Sequence, residues 1–185
     1  MLQKQSIRKW LRFTFPPWRR WTSKVNYFSY HSVYLGSKGK QLYAIKIYGY
    51  GISKEEGFKR EVEFLQKLKF KYLINIVEAD PNADVKFKNR DLEKRSIIVL
   101  EFAEAELFDF IAKEGRFPPE ICRTLIKQLI DAIRFLNDQG ITHRDLKPEN
   151  ILFDQDFNFK VSDFGLSTFI EGHKKDGNLT SLVGT

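Results

Sequence analysis

The sequence predicts an α+β fold, with a strand-rich first part that carries one helix and a mainly helical second part. Three stretches support this. Residues 42–48 form an apolar run with the alternation and β-branched content of a strand. Residues 54–68 place Phe58, Val62, Phe64, Leu65 and Leu68 in a stripe near helical spacing. From Pro118 comes the cleanest helix signal: prolines at the entry, Ile121, Leu125, Leu129, Ala132, Ile133 and Leu136 on one face, and Gly140 as the stop.

In chain order, residues 1–24 come first, mixing Lys and Arg with Trp10, Phe13, Phe15, Trp18 and Trp21. Gly36-Ser37-Lys38-Gly39 reads as the turn of a hairpin leading into the strand at 42–48. The helix at 54–68 follows, and a further strand is expected at 96–101. Glu106-Leu107-Phe108-Asp109 opens another helix, and the long helix from Pro118 runs into His143-Arg144-Asp145-Leu146-Lys147-Pro148-Glu149-Asn150. Thirteen positions further on stands Asp163-Phe164-Gly165, a spacing that fits a short hairpin of strands between the two motifs.

These two motifs carry the chemistry. A base-type carboxylate (Asp145), a cation-ligating amide (Asn150), a lysine (Lys147) and a second carboxylate (Asp163) are what phosphoryl transfer from a metal-bound nucleotide requires. On these residues the chain resembles the eukaryotic protein kinases, and Lys147 two positions after Asp145 is the serine/threonine-type arrangement. The Glu106-Leu107-Phe108-Asp109 start and the wording of the 143–150 loop lean toward the calcium/calmodulin-dependent branch.

The resemblance implies a two-lobed fold: a kinase small lobe over residues 25–102 and a partial large lobe over 103–185 that ends in the activation segment. It implies ATP and Mg²⁺ as cofactors and Ser or Thr hydroxyls of a protein substrate as acceptors. Asp145 would accept or orient the acceptor proton, Lys147 would steady the γ-phosphate, and Asn150 with Asp163 would hold Mg²⁺. Lys46, within Tyr43-Ala44-Ile45-Lys46, matches the lysine that binds the α and β phosphates and pairs with a glutamate on the next helix. Glu61 is the better match for that glutamate. Its rival Glu63 lies about 200° round the helix, and the apolar neighbours Phe64 and Leu65 favour Glu61.

For the nucleotide, the resemblance implies contacts from Val33, Ala44 and Leu152, with Leu100 guarding the back of the adenine pocket. The Glu101 carbonyl would accept from the adenine amino group and the Ala103 N–H would donate to the ring. Glu106 stands either at the ribose or as an ordinary helix-start carboxylate. Arg144 beside Asp145 suggests regulation by a phosphate on the activation segment, with Ser181 the first candidate acceptor and Thr180 the next. Thr185 resembles the threonine that contacts the base aspartate and the lysine.

Two departures stand beside these matches. Aligned on Val33, the three glycine positions of the kinase phosphate loop fall on Asn26, Phe28 and His31, so closer phosphate approach by bare backbone is lost. Gly49-Tyr50-Gly51 lies after the lysine strand and does not replace them. The sequence also stops where the activation segment would reach its Ala-Pro-Glu anchor, as a fragment or a natural truncation would. The long helix and the loop after it are then expected to expose apolar surface.

Composition agrees: 42% of residues are hydrophobic, ample for a core. The lone Cys122 cannot form an intramolecular disulfide and fits a reducing, cytoplasmic setting. No run of eighteen apolar residues predicts a membrane span. The net charge of +7 is uneven, since the first 54 residues hold eleven Lys or Arg and no acid. That basic aromatic N-terminal extension is either a disordered or lobe-packing arm, or a contact for an anionic membrane or nucleic acid, or an organelle address. The expected function is a serine/threonine protein kinase impaired by truncation and by the degenerate glycine loop. The alternatives are a catalytically inactive nucleotide-binding pseudokinase or scaffold, and a lipid or nucleic-acid binder.

Overall fold

The computed structural model describes residues 31–38, 40–86, 91–170 and 184. The first part is a four-stranded antiparallel sheet in the order β1-β2-β4-β3, with β1 His31–Lys38, β2 Gln41–Tyr48, β3 Ile76–Lys86 and β4 Leu92–Glu101. Between β2 and β3 runs α1, Ile52–Lys67, which packs on β2, β3 and β4. Gly51 stands at its N-cap with φ 114°, a backbone conformation that only glycine adopts without strain. Its carbonyl accepts from the amides of Lys54 and Glu55 at 2.9 and 3.1 Å, opening the helix.

Gly36, Ser37 and Lys38 are not the hairpin turn. They are strand residues paired with Tyr43, Leu42 and Gln41. The glycine fits there for another reason: a Cβ on Gly36 would lie 2.3 Å from Cδ1 of Ile45 on the neighbouring strand. The strand β3 has no counterpart among the sequence expectations. It contains Pro81, which a regular ladder cannot use as a donor, and the pairing shifts between Asp80 and Ala83 to accommodate it. The bulge is closed by side chains, with Asp80 Oδ1 accepting from the Asn82 amide at 2.8 Å and Ser96 Oγ donating to the Pro81 carbonyl at 3.0 Å.

The second part begins with β5 Ala105–Glu106 and continues into α2 Leu107–Glu114 and α3 Pro119–Asp138. Short strands follow: β6 Ile141–Thr142, β7 Ile151–Phe153, β8 Phe159–Val161 and β9 Thr168–Phe169. β5, β7 and β8 form one sheet, and β6 pairs with β9. The fold is therefore α+β with a β-rich lobe and a mainly helical one.

A single apolar cluster joins the two. It contains Phe58, Phe64, Leu65 and Leu68 from α1 and its end, Ile98 and Leu100 from β4, Ala132 and Leu136 from α3, and Val161 and Phe164 beyond. The segment after α1 extends that union, since the Val161 amide donates to the Tyr72 carbonyl and the Ile74 amide to the Val161 carbonyl, both at 2.9 Å. A second cluster, Leu125, Ile151, Phe153 and Phe159, anchors the β7–β8 hairpin on α3. Among the described residues, Ile126 and Ile130 of α3 are about half exposed (52% and 50%), and Leu146 is exposed as well.

Candidate active site

Strand pairing assembles one wall. Val33 lies opposite Lys46, which lies opposite Ile98, and Ala44 lies opposite Leu100, so these side chains share one face of the sheet. Lys46 is buried (4% exposed) and reaches α1, where its Nζ donates to both carboxylate oxygens of Glu61 at 2.8 and 2.7 Å. The same Nζ donates to Asp163 Oδ1 at 2.9 Å. Burial alone would push this ammonium down, but Glu61 and Asp163 together outweigh it and hold the group above the ordinary lysine value. Glu63 has a different partner, Lys67, at 2.8 Å on the surface. The Tyr48 hydroxyl, two residues along β2 from Lys46, also donates to Glu61 Oε2.

The helical part supplies the second wall. His143 Nδ1 accepts from the Asp145 amide at 3.2 Å, which leaves Nε2 to donate to the Ser162 carbonyl at 2.9 Å. Burial lowers the His143 pKa, matching the neutral ring that this pair of bonds requires. Asp145, 8% exposed, receives two cationic or amide donors on Oδ2: Asn150 Nδ2 at 2.9 Å and Lys147 Nζ at 3.0 Å. Asn150 Nδ2 also donates to the Asp145 carbonyl at 2.8 Å. The Ser162 amide donates to the Asn150 carbonyl at 2.9 Å, which brings Asp163 beside this loop. Asp163 sits at φ 62° and accepts from the Gly165 amide at 3.4 Å, while the next residue, Phe164, is fully buried with its ring edge-on to His143 at 5.0 Å.

A family model for the protein kinase domain matches residues 29–185. The chain belongs to the protein kinase family. It is 39% identical over 131 residues to CBL-interacting protein kinase 11 of Oryza sativa subsp. japonica, a match covering 70% of this chain and 24% of that protein. It is 39% identical over 118 residues to the serine/threonine-protein kinase cds1 of Schizosaccharomyces pombe, covering 63% and 24% respectively. To the carbon catabolite-derepressing protein kinase of Candida tropicalis it is 37% identical over 120 residues, covering 65% and 17%. The chain thus spans about a quarter or less of the length of these relatives.

Kinases in general use ATP and Mg²⁺, and the donor set here fits both. With Asn150 Nδ2 directed at Asp145, its Oδ1 is the atom presented to a cation, and the Asp163 side chain beside it keeps 32% of its surface exposed. Among the described residues no three His, Cys, Asp or Glu side chains could cage a metal. A cation held by one carboxylate, one amide and phosphate oxygens is the usual pattern for Mg²⁺.

At the junction between the lobes, Leu100 is buried and Ala44, Ala103 and Leu152 pack in part against the same cluster. The Glu101 side chain has a structural task that sequence reasoning missed. Its Oε1 accepts from the Asn75 amide at 3.0 Å, Asn75 Nδ2 at 2.9 Å and Lys160 Nζ at 2.8 Å, tying β4 to β8. Glu106 occupies the N-cap of α2 without a side-chain capping bond and lies opposite Leu152 on β7. Burial, then Asp109 and Glu149, raise its pKa.

Arg144 has φ 66° and donates from Nε to the Leu166 carbonyl at 2.7 Å. Burial and then the positive charge of Arg60 on α1 lower its pKa. Sequence reasoning did not single out Arg60, whose helical position alone carries no signal. Gly184 rests against the same residue: a Cβ there would lie 2.5 Å from the Arg144 carbonyl oxygen. Asn26, Phe28, Thr180, Ser181, Thr185 and the 1–24 extension lie outside the described residues. No helix among the described residues is long and apolar enough to cross a membrane.

Proposed function

We propose that this chain carries the catalytic site of an ATP-dependent protein kinase that phosphorylates Ser or Thr hydroxyls of protein substrates. The observation that carries the reading is the Lys46 ammonium fixed between Glu61 and Asp163 at 2.7–2.9 Å, facing a loop in which Asn150 and Lys147 converge on Asp145. Bound Mg·ATP supplies the transferable γ-phosphoryl group. Lys46 offsets charge on the α and β phosphates, and Asp163 and Asn150 hold the cation. Asp145 orients the acceptor hydroxyl and Lys147 steadies the γ-phosphate as charge moves during transfer. Val33, Ala44 and Leu152 line the nucleotide pocket and Leu100 guards its back, with the Glu101 carbonyl and Ala103 N–H as hydrogen-bond partners of the adenine and Glu106 toward the ribose.

In this reading the domain boundary falls at residues 102 and 103. Arg144 receives a phosphate placed on Ser181 or Thr180, and the site works in the cytoplasm. The basic aromatic extension at 1–24 stands either as an arm of the lobe or as a contact for an anionic membrane or nucleic acid.

A second reading, a nucleotide-binding scaffold without turnover, has one observation in its favour: Asn26, Phe28 and His31 stand where kinases carry glycines. Both readings share weak nucleotide affinity. Calorimetric titration with Mg·ATP is expected to give a dissociation constant between about 10 μM and 1 mM, or roughly −7 to −4 kcal/mol. Nanomolar binding would show that the glycine loop is dispensable, and no binding at millimolar ATP would remove both readings.

A further inference from the structure

Tyr48 is buried (1% exposed), lies two residues beyond Lys46 on the same face of β2, and has its hydroxyl on the carboxylate that Lys46 grips. Its ring is held edge-on by Phe58 of α1 at 5.4 Å. Glu61 is itself buried at 1% exposure among Phe58, Phe64 and Leu65, where an ionised carboxylate is costly unless each oxygen is hydrogen-bonded. Lys46 supplies donors to both oxygens, and Tyr48 adds one to Oε2. Burial and Glu61 push the phenol far above its ordinary range, so it remains a donor at any physiological pH.

We propose that Tyr48 is a positioning residue that clamps Glu61, and with it α1, onto Lys46, so that the lysine is set for phosphate before nucleotide arrives. Tyr48 touches neither nucleotide nor acceptor; it acts through Glu61. The proposal deepens the kinase reading and rests on it for its consequence, though the clamp itself is a property of the fold. A carboxylate fixed by a strand hydroxyl as well as by the lysine cannot swing away with the helix without breaking both sets of bonds inside a buried cluster. The pairing of Lys46 with Glu61 thereby gains a support that does not depend on the activation segment.

The test is Tyr48→Phe in the full chain, which removes the hydroxyl and keeps the ring that packs on Phe58. A hydrogen bond to a buried carboxylate shifts such an equilibrium on the order of tenfold. Hydrogen exchange at residues 58–65 is therefore expected to speed up about tenfold, while amides of α3 exchange as before. The dissociation constant for Mg·ATP is expected to weaken by a similar factor, and the substitution should add nothing in a Glu61→Ala background, where the hydroxyl has lost this acceptor. Equal exchange at 58–65 in both proteins, a loss of protection spread evenly over the chain, or an undiminished effect in the Glu61→Ala background would each overturn the clamp. If the parent chain fails to bind Mg·ATP, the nucleotide reading falls, and the exchange comparison still decides the role of Tyr48.

Discussion

Asp145→Asn is expected to lower phosphoryl transfer by about 10²–10⁴-fold, the usual worth of a positioned acid–base group. The substitution preserves shape and removes only the charge and the proton-accepting capacity. The replacement amide can turn its oxygen toward Asn150 Nδ2 and Lys147 Nζ, the two donors that now meet Asp145 Oδ2 at 2.9 and 3.0 Å. The loop should therefore keep its form, and the bond from Asn150 Nδ2 to the Asp145 backbone carbonyl is untouched. The loss should appear in kcat with the KM for ATP nearly unchanged, because in the proposed reading Asp145 meets the acceptor and not the nucleotide. Steady-state kinetics at saturating Mg·ATP, with a thermal melt to confirm folding, separates the two. A variant that keeps more than a tenth of the parent rate would show that proton acceptance at this position is not part of the chemistry.

Glu61→Ala is expected to destabilise the fold by about 3 kcal/mol, near the lower end for breaking a buried pair, since Asp163 remains to face Lys46. The cost has two sources. The Lys46 ammonium, 5% exposed at its side chain, loses the partner that grips it through both oxygens, and the Tyr48 hydroxyl loses its acceptor in the same stroke. For a chain of this length that corresponds to a fall in Tm on the order of 10 °C. Glu63→Ala on the other side of α1 breaks only an exposed pair with Lys67 and should shift Tm by about 1 °C at most. Differential scanning calorimetry of the two variants provides the comparison, and equal shifts would contradict the assignment of Glu61 to the buried side.

The residues legible in sequence were those whose chemistry needs a fixed type at a fixed spacing. The 143–150 loop and Asp163 are of this kind, and the structure sets them side by side through the β7–β8 hairpin that their spacing implied. The helix at 54–68 was legible from its stripe, and the same stripe separates Glu61 from Glu63, because the apolar side and the buried carboxylate must face the sheet together. The long helix after Pro118 was legible for the same reason of periodicity.

What stayed hidden was non-local. β3 breaks its own alternation at Pro81 and carries acids on its exposed side, so its strand character exists only against β4. The Gly36–Gly39 run looked like a turn because glycines usually punctuate, yet Gly36 is small to make room for Ile45 across the ladder. Tyr48 read as one more strand aromatic, and Glu101 as a backbone acceptor. Neither the hydroxyl on Glu61 nor the carboxylate on Asn75 and Lys160 has any local signature.

The most direct test of the central claim is transfer of radiolabelled γ-phosphate from Mg·ATP to a mixed protein substrate, comparing the parent chain with Asp163→Asn. The account expects slow labelling of Ser and Thr in the parent reaction, held down as the degenerate glycine loop implies, and a fall to background in the variant, with the fold retained as judged by its melt. Transfer that persists undiminished in Asp163→Asn, or a parent chain that binds Mg·ATP and moves no phosphate, would contradict it.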